Sequence, residues 1–337
     1  MGLRLTEVRM GSIVLLNMFT GTLERAVLET LAYSDIFEYP LRLKELHSYL
    51  PVRAKMEDLS DVLESLGKRV GENNGFYFLA GRYRIIDVRM QRETRSKKLL
   101  PISMKYGRVL GSLPFIRMVA LTGSLAVMNV SETADFDYML VTQAGRLWTA
   151  RAFAVTFGRM MRPSGHTICV NVLVSENALP WHRHDLYSAR EMCHMIPITG
   201  VETYHRLRTA NAWTESMLPN CGLSAPSLAQ ISAHRESNQI QRVLEAPLRG
   251  APGQHIERWA MNFQLRRIER RPSAGDETNF SAEVCQANFH HHRKSVWEAF
   301  QQRLDHLDAN SPISFALKGV SAKSEVAVGE ALKVRPR

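Results

Sequence analysis

The stretch that most constrains this chain lies between Val119 and Val141. An apolar run from Val119 to Leu121 reaches Gly123-Ser124, ten residues intervene, and Asp135-Phe136-Asp137 then opens a second apolar run to Val141. Two strands joined through a glycine turn fit that pattern, and they fix where the chemistry can sit. The glycine lets the backbone approach a phosphate closely, and Ser124 offers a hydroxyl and an amide where a short helix begins. Asp135 and Asp137, two positions apart, leave a strand on the same side. Carboxylates so placed can hold a divalent cation that bridges a nucleotide's phosphates.

On the N-terminal side, Leu23, Ala26, Val27, Thr30 and Leu31 share one helical face. A second helix carries Leu43, Leu46 and Leu50. A third runs from Met56 to Arg69 with Leu59, Val62, Leu63 and Leu66 inward. Val70, a turn through Glu72 to Gly75, and Phe76 to Leu79 then read as a hairpin. Three helices and a hairpin make a winged helix, expected over residues 20–87. Such a module binds nucleic acid through its third helix or docks on protein. Here that helix carries Glu57, Asp58, Asp61 and Glu64 beside Lys55, Lys68 and Arg69, which weighs against entry into a DNA groove.

Residues 88–110 read as a basic linker helix, with Arg92, Arg95, Lys97, Lys98, Lys105 and Arg108. Strands are expected at Ile116–Leu121, Phe136–Val141 and Thr167–Val174. A helix from Gly145 to Met161 should bury Leu147, Trp148, Phe153 and Phe157. Beyond Leu186 the chain reads as helical, with long helices at 254–270 and 289–307. The tail after Asn310 lacks a clear period and reads as disordered.

The Gly123, Ser124, Asp135, Asp137 pattern resembles that of the DNA polymerase β-like nucleotidyltransferases. The order of winged helix, this fold and a helical tail is similar to a group of bacterial nucleotidyltransferase-domain proteins. The resemblance covers residues 115–175. It implies an α/β (α+β) fold in which a small mixed-sheet nucleotidyltransferase domain (88–180) is flanked by the winged helix and a helical C-terminal domain (181–310), with a tail at 311–337. It further implies binding of an NTP such as ATP, a Mg²⁺ or Mn²⁺ cofactor, and transfer of a nucleoside monophosphate to an acceptor. The alternative function is a degenerate nucleotide-sensing or nucleic-acid-binding regulator.

That family has a third carboxylate on a later strand, and the matching position here falls at Asn171, on the face opposite Ile168, Val170, Val172 and Val174. An amide can be a weak neutral ligand but not a general base. Phosphoryl-type transfer rests mainly on positioning and electrostatics, so its loss need not abolish turnover. Glu176 and Asp185 are candidate substitutes, although a surface role suits both better. Arg146 and Arg151 head the helix after the Asp-Phe-Asp strand, and Arg151 is the expected triphosphate contact. Trp181-His182-Arg183-His184-Asp185 and His290-His291-His292 lack ligand spacing and read as ordinary surface or core. Asn211 and Trp213 sit where a helical unit would close on the cleft, although core packing suits the tryptophan better.

Composition adds the partners. A net charge of +10 favours polyanions, namely nucleotides or nucleic acid, with clusters at Arg266-Arg267, Arg270-Arg271 and Arg95, Lys97, Lys98. Cys169, Cys193, Cys221 and Cys285 are widely spaced, which reads as free thiols in a reducing cytosol. Met10 to Phe19 is too short to span a bilayer and is preceded by Glu7, so a cytoplasmic protein without a membrane partner is expected.

Overall fold

A computed structural model describes residues 22–132, 135–224, 239–269, 278–287 and 292–309. Their fold class is mixed α/β. The N-terminal part holds α1 (Leu23–Asp35), β1 (Leu41–Arg42), α2 (Leu43–Ser48), α3 (Met56–Leu66), β2 (Val70–Asn73) and β3 (Phe76–Leu79). Thr22 caps α1, and Leu28, Leu31, Leu41, Leu46, Leu50 and Leu59 form its core. The expected hairpin is present, and β1 adds a third antiparallel strand through the Leu41–Tyr77 pairing. At two residues, β1 is too short to leave a periodic signal.

Helix α4 (Ile85–Gly111) follows, and here the linker reading needs correction. The helix packs along the main sheet, burying Ser96, Ser103 and Leu110, and Gly107 meets Ile198 where a Cβ would lie 2.3 Å away. Three of those basic residues form ion pairs, Arg92 with Glu38 at 2.7 Å, Lys97 with Glu93 at 2.8 Å and Arg95 with Glu132 at 3.6 Å.

The main sheet runs β7-β4-β5-β6-β9-β8 among the described residues, with β4 (Ile116–Leu121), β5 (Asp135–Thr142), β6 (Thr167–Ser175), β7 (Ile196–Thr199), β8 (Thr278–Phe280) and β9 (Val284–Ala287). β5 and β6 are parallel, joined through α6 (Leu147–Met161), while the other neighbours are antiparallel. The segment expected to be wholly helical thus supplies three strands. Its helices are α7 (Leu186–His194), α8 (Val201–Ala210), α9 (Trp213–Met217), α10 (Gln239–Glu245), α11 (Gly250–Glu269) and α12 (His292–Ala309), and α5 (Gly123–Ala126) lies between β4 and β5. The tail beyond 309, residues 1–21, Arg270-Arg271 and the side chains of His290-His291-His292 lie outside the described residues.

Alternation along the strands sorts the two faces. Val119, Leu121, Phe136, Tyr138, Leu140, Val170 and Leu173 pack towards α4, α6 and α11 with Leu147 and Trp148. Met118, Ala120, Met139, Val141 and Val174 pack the other way, with Met192, Met195 and Leu207 from α7, α8 and their connection. Each fully buried large apolar side chain is worth about 1.5–3 kcal/mol. On α6, Leu147 and Trp148 are buried as expected, but Phe153 is 36% exposed because it falls off the sheet-facing stripe.

Two corrections follow on β6 and the cysteines. Tyr138 pairs with Val170 and Met139 with Val172, so Asn171 is an inserted bulge residue. The bulge reverses the alternation: Val172 and Val174 leave the face of Ile168 and Val170 for the opposite one. Cys193 and Cys221, expected as free thiols, form a disulfide, while Cys169 and Cys285 are free.

Candidate functional site

Asp135 and Asp137 share with Met139 the face of β5 that looks towards α7. The Thr122 N–H donates to the Asp137 carbonyl at 2.9 Å, which pins the turn after β4 against the strand. Gly123 adopts φ +66°, and a Cβ there would lie 2.4 Å from Asp137 Oδ2. Only glycine meets both demands, the left-handed backbone and the carboxylate packed over it. Ser124 follows, exposed at the start of α5.

Asn171 reaches the same carboxylate, its amide Nδ2 donating to Asp137 Oδ1 at 2.7 Å. The Cys169 thiol donates to Asp135 Oδ2 at 3.4 Å. Burial pushes the Asp137 carboxyl up to about 7, the Asp135 charge adds to the rise, and the Asn171 hydrogen bond opposes it.

Of these residues Gly123, Ser124, Asp137 and Asn171 line a cavity of about 640 Å³, within the range of small-molecule sites, and Asp135 lies outside its lining. Met139, Val172 and Val174 of β5 and β6 and Val284 and Gln286 of β9 add to its wall. Across from them stand Arg190, Glu191 and His194 of α7, together with Tyr33 and Tyr49 of the N-terminal part. Burial pushes the Glu191 carboxyl up to about 7, and the Asp137 charge adds to it. Sequence reading missed Glu191 and Arg190. They sit on a helix more than fifty positions after Asp137, and no local motif marks them.

Other expectations resolve differently. Arg151 is not brought to the carboxylates. It leaves α6 on the opposite side of the sheet, where its Nη1 donates to Gln264 Oε1 at 2.6 Å. Arg146 is buried against Phe115. Glu176 accepts from the Ala144 N–H, and Asp185 caps α7 and pairs with Arg293 at 2.7 Å, so neither replaces the third carboxylate. Trp181, His182 and Arg183 line the cavity, while His184 stacks on Trp213 at 4.4 Å. Asn211 is buried, accepting from the Trp181 N–H and the Trp213 indole.

Among the described residues, no group of three or more His, Cys, Asp or Glu side chains is placed to hold a metal ion. The pair Asp135 and Asp137 offers hard oxygens of the kind that take Mg²⁺ when substrate phosphates supply further ligands, whereas Asn171, expected as a third ligand, turns its amide N–H and not its oxygen to Asp137. The donor chemistry therefore fits a metal–nucleotide complex better than a bare ion. Compared with known proteins, the chain matches no family model, no curated protein and no solved structure.

Proposed function

We propose that this protein is a divalent-metal-dependent nucleotidyltransferase that moves a nucleoside monophosphate from an NTP to an acceptor. The observation that carries the reading is the pairing of two carboxylates with a glycine turn. Asp135 and Asp137 lie on one side of β5, and Gly123 packs against Asp137 where both meet a nucleotide-sized cavity. In the proposed reaction an acceptor oxygen attacks the α-phosphorus, the bond to the β-phosphate oxygen breaks, and pyrophosphate leaves. Asp135 and Asp137 would hold a Mg²⁺ or Mn²⁺ ion, which would supply positive charge against the phosphates. Asp135 and Asp137 hold the metal–triphosphate, Asn171 orients Asp137, and Gly123-Ser124 accommodates the phosphates. Glu191, a carboxyl titrating near 7 on the facing wall, takes the proton that the acceptor loses.

A second reading keeps nucleotide binding without turnover, a sensor or regulator. The observation favouring it is Asn171, an amide where the related pattern has a third carboxylate. The two readings part on one assay, in which the full chain is incubated with each labelled NTP and Mg²⁺ or Mn²⁺. Pyrophosphate release that Glu191→Gln abolishes supports the enzyme. Tight NTP binding with no release supports the sensor.

The N-terminal helices with their three-stranded sheet support the winged-helix reading, and the domain division of the sequence analysis stays part of this proposal. The outer face of α3 exposes Glu57, Asp58, Asp61 and Glu64, so docking on protein suits it better than DNA. Among the described residues, no helix is long and apolar enough to cross a membrane. A cytoplasmic location belongs to the proposal, and the Cys193–Cys221 bond is the observation that weighs against it.

A further inference from the structure

A buried cation without an anion faces the same cavity. Arg190 is 3% exposed, and its guanidinium lies over the Tyr49 ring at 4.3 Å and the Tyr33 ring at 4.9 Å. One Nη donates to the Tyr49 backbone carbonyl at 3.3 Å, while Nε is buried with no hydrogen-bond partner. No carboxylate pairs with it among the described residues. The two rings give it π faces but no negative charge, since burial pushes both phenols upward and keeps them neutral. Burying a charge in this way is costly unless something of opposite sign comes to it.

Its neighbours on the cavity wall are also incomplete. Trp181 Nε1 and His194 Nε2 are buried without hydrogen-bond partners. Burial, with the Arg190 charge adding to it, pushes the His194 imidazole down to about 3, so the histidine supplies no second cation. Arg190, Trp181 and His194, each with a buried polar atom that lacks a partner, line one cavity with Asp137 and Glu191.

We propose that the Arg190 end of this cavity binds an anionic group, a carboxylate or a phosphate, carried by the small-molecule acceptor of the transfer reaction. The guanidinium supplies the charge and its free Nε–H a hydrogen bond, and the Trp181 indole N–H supplies a second donor. Successive side chains on α7 diverge by about 100°. Arg190 therefore turns to the N-terminal tyrosines while Glu191 turns to the strand carboxylates. That separation places the acceptor's anion apart from the triphosphate and its reacting oxygen within the cavity shared with Glu191. Assignment to an acceptor rests on the nucleotidyltransferase reading, but the anion site itself does not.

The test titrates the full chain with inorganic phosphate and with acetate, one probe for each headgroup, following binding by calorimetry. Wild type and Asp135→Asn/Asp137→Asn should bind at least one of them alike. Arg190→Met should bind it about tenfold more weakly or worse, since a charge-assisted hydrogen bond is lost. Should that variant fail to fold, Arg190→Lys keeps a charge without the fork and should still weaken binding. Failure of both anions to bind wild type, or equal binding by the Arg190 variants, overturns the site. A loss of Mg²⁺-ATP affinity in Arg190→Met as large as the loss of anion affinity overturns the acceptor assignment, because Arg190 would then serve the triphosphate. Anion binding that survives while no nucleotide binds leaves the site standing and removes the transferase reading alone.

Discussion

Asn171 donates its side-chain amide to Asp137 across β6 and β5 at 2.7 Å, from the unpaired position of a bulge. Without the insertion, strict alternation could not put both Asn171 and Val172 on the cavity face. The bulge therefore adds Val172 and Val174 to the face that already carries Asn171. Replacing the amide with a carboxylate tests what its contact with Asp137 is for. Asn171→Asp should lower the stability of the empty protein by about 1–3 kcal/mol, through a lost hydrogen bond to a charged group and a new repulsion. In Mg²⁺-ATP the same variant should recover and bind more tightly than wild type. Thermal melts with and without the complex check this, and a variant that stays equally destabilised in both would mean that position 171 is purely structural.

Asp137 makes the empty site pH-sensitive. Its carboxyl is raised from 3.8 to about 7, so between those values the folded chain holds a proton that the unfolded chain has released. Stability from this group is present at the acid end and is lost as pH rises towards 7. His194, pushed down by burial, acts in the opposite sense, losing stability as pH falls below 6.5. The comparison that reports on Asp137 is wild type against Asp137→Asn, in which Glu191 also loses the Asp137 contribution to its rise. The variant should show a smaller decline from about pH 4 to about pH 7 in denaturant unfolding, with His194 common to both. Parallel curves would contradict the assignment.

Gly123 is the tightest point of the site. An alanine there would be forced to a positive φ with its Cβ 2.4 Å from Asp137 Oδ2, so the carboxylate must move. Gly123→Ala should cost about 1–3 kcal/mol and abolish Mg²⁺-nucleotide binding. Retained binding with normal stability would show that the turn does not shape the site.

The disulfide joins the end of α7 to the segment after α9, closing a separation of 28 residues. Because α7 carries Arg190 and Glu191, reduction loosens the wall that faces the carboxylates. Dithiothreitol should lower stability by about 3 kcal/mol. Cys193→Ser should reproduce the reduced melting curve, and melting that does not respond to reductant would place the bond outside the native protein in solution.

How much of this was legible depends on the element. The Ile116–Leu121 strand, the Asp-Phe-Asp strand and α6 announce themselves through continuous apolar runs, and the structure has them within two residues of expectation. β7 was hidden because Pro197 reads as helix punctuation, yet an edge strand tolerates proline, and β7 is an edge. β8 and β9 span three and four residues, too short for a period. At the site, Gly123, Ser124, Asp135, Asp137 and Asn171 were legible because strand geometry is local. Arg190 and Glu191 were not, because a helix distant in sequence brings them there. Arg151 misled for the converse reason: it is near the motif in sequence but on the other side of the sheet.

The central claim is that Asp135 and Asp137 exist to hold a metal–nucleotide. Calorimetric titration of Mg²⁺-ATP and Mg²⁺-GTP into wild type and Asp135→Asn/Asp137→Asn tests it most directly. At least one nucleotide should bind wild type only with the metal present, while the double variant remains folded, at equal or higher melting temperature, and binds neither. Equal binding by the two proteins, binding by neither, or a double variant destabilised by several kcal/mol as expected for a broken buried pair would contradict the account.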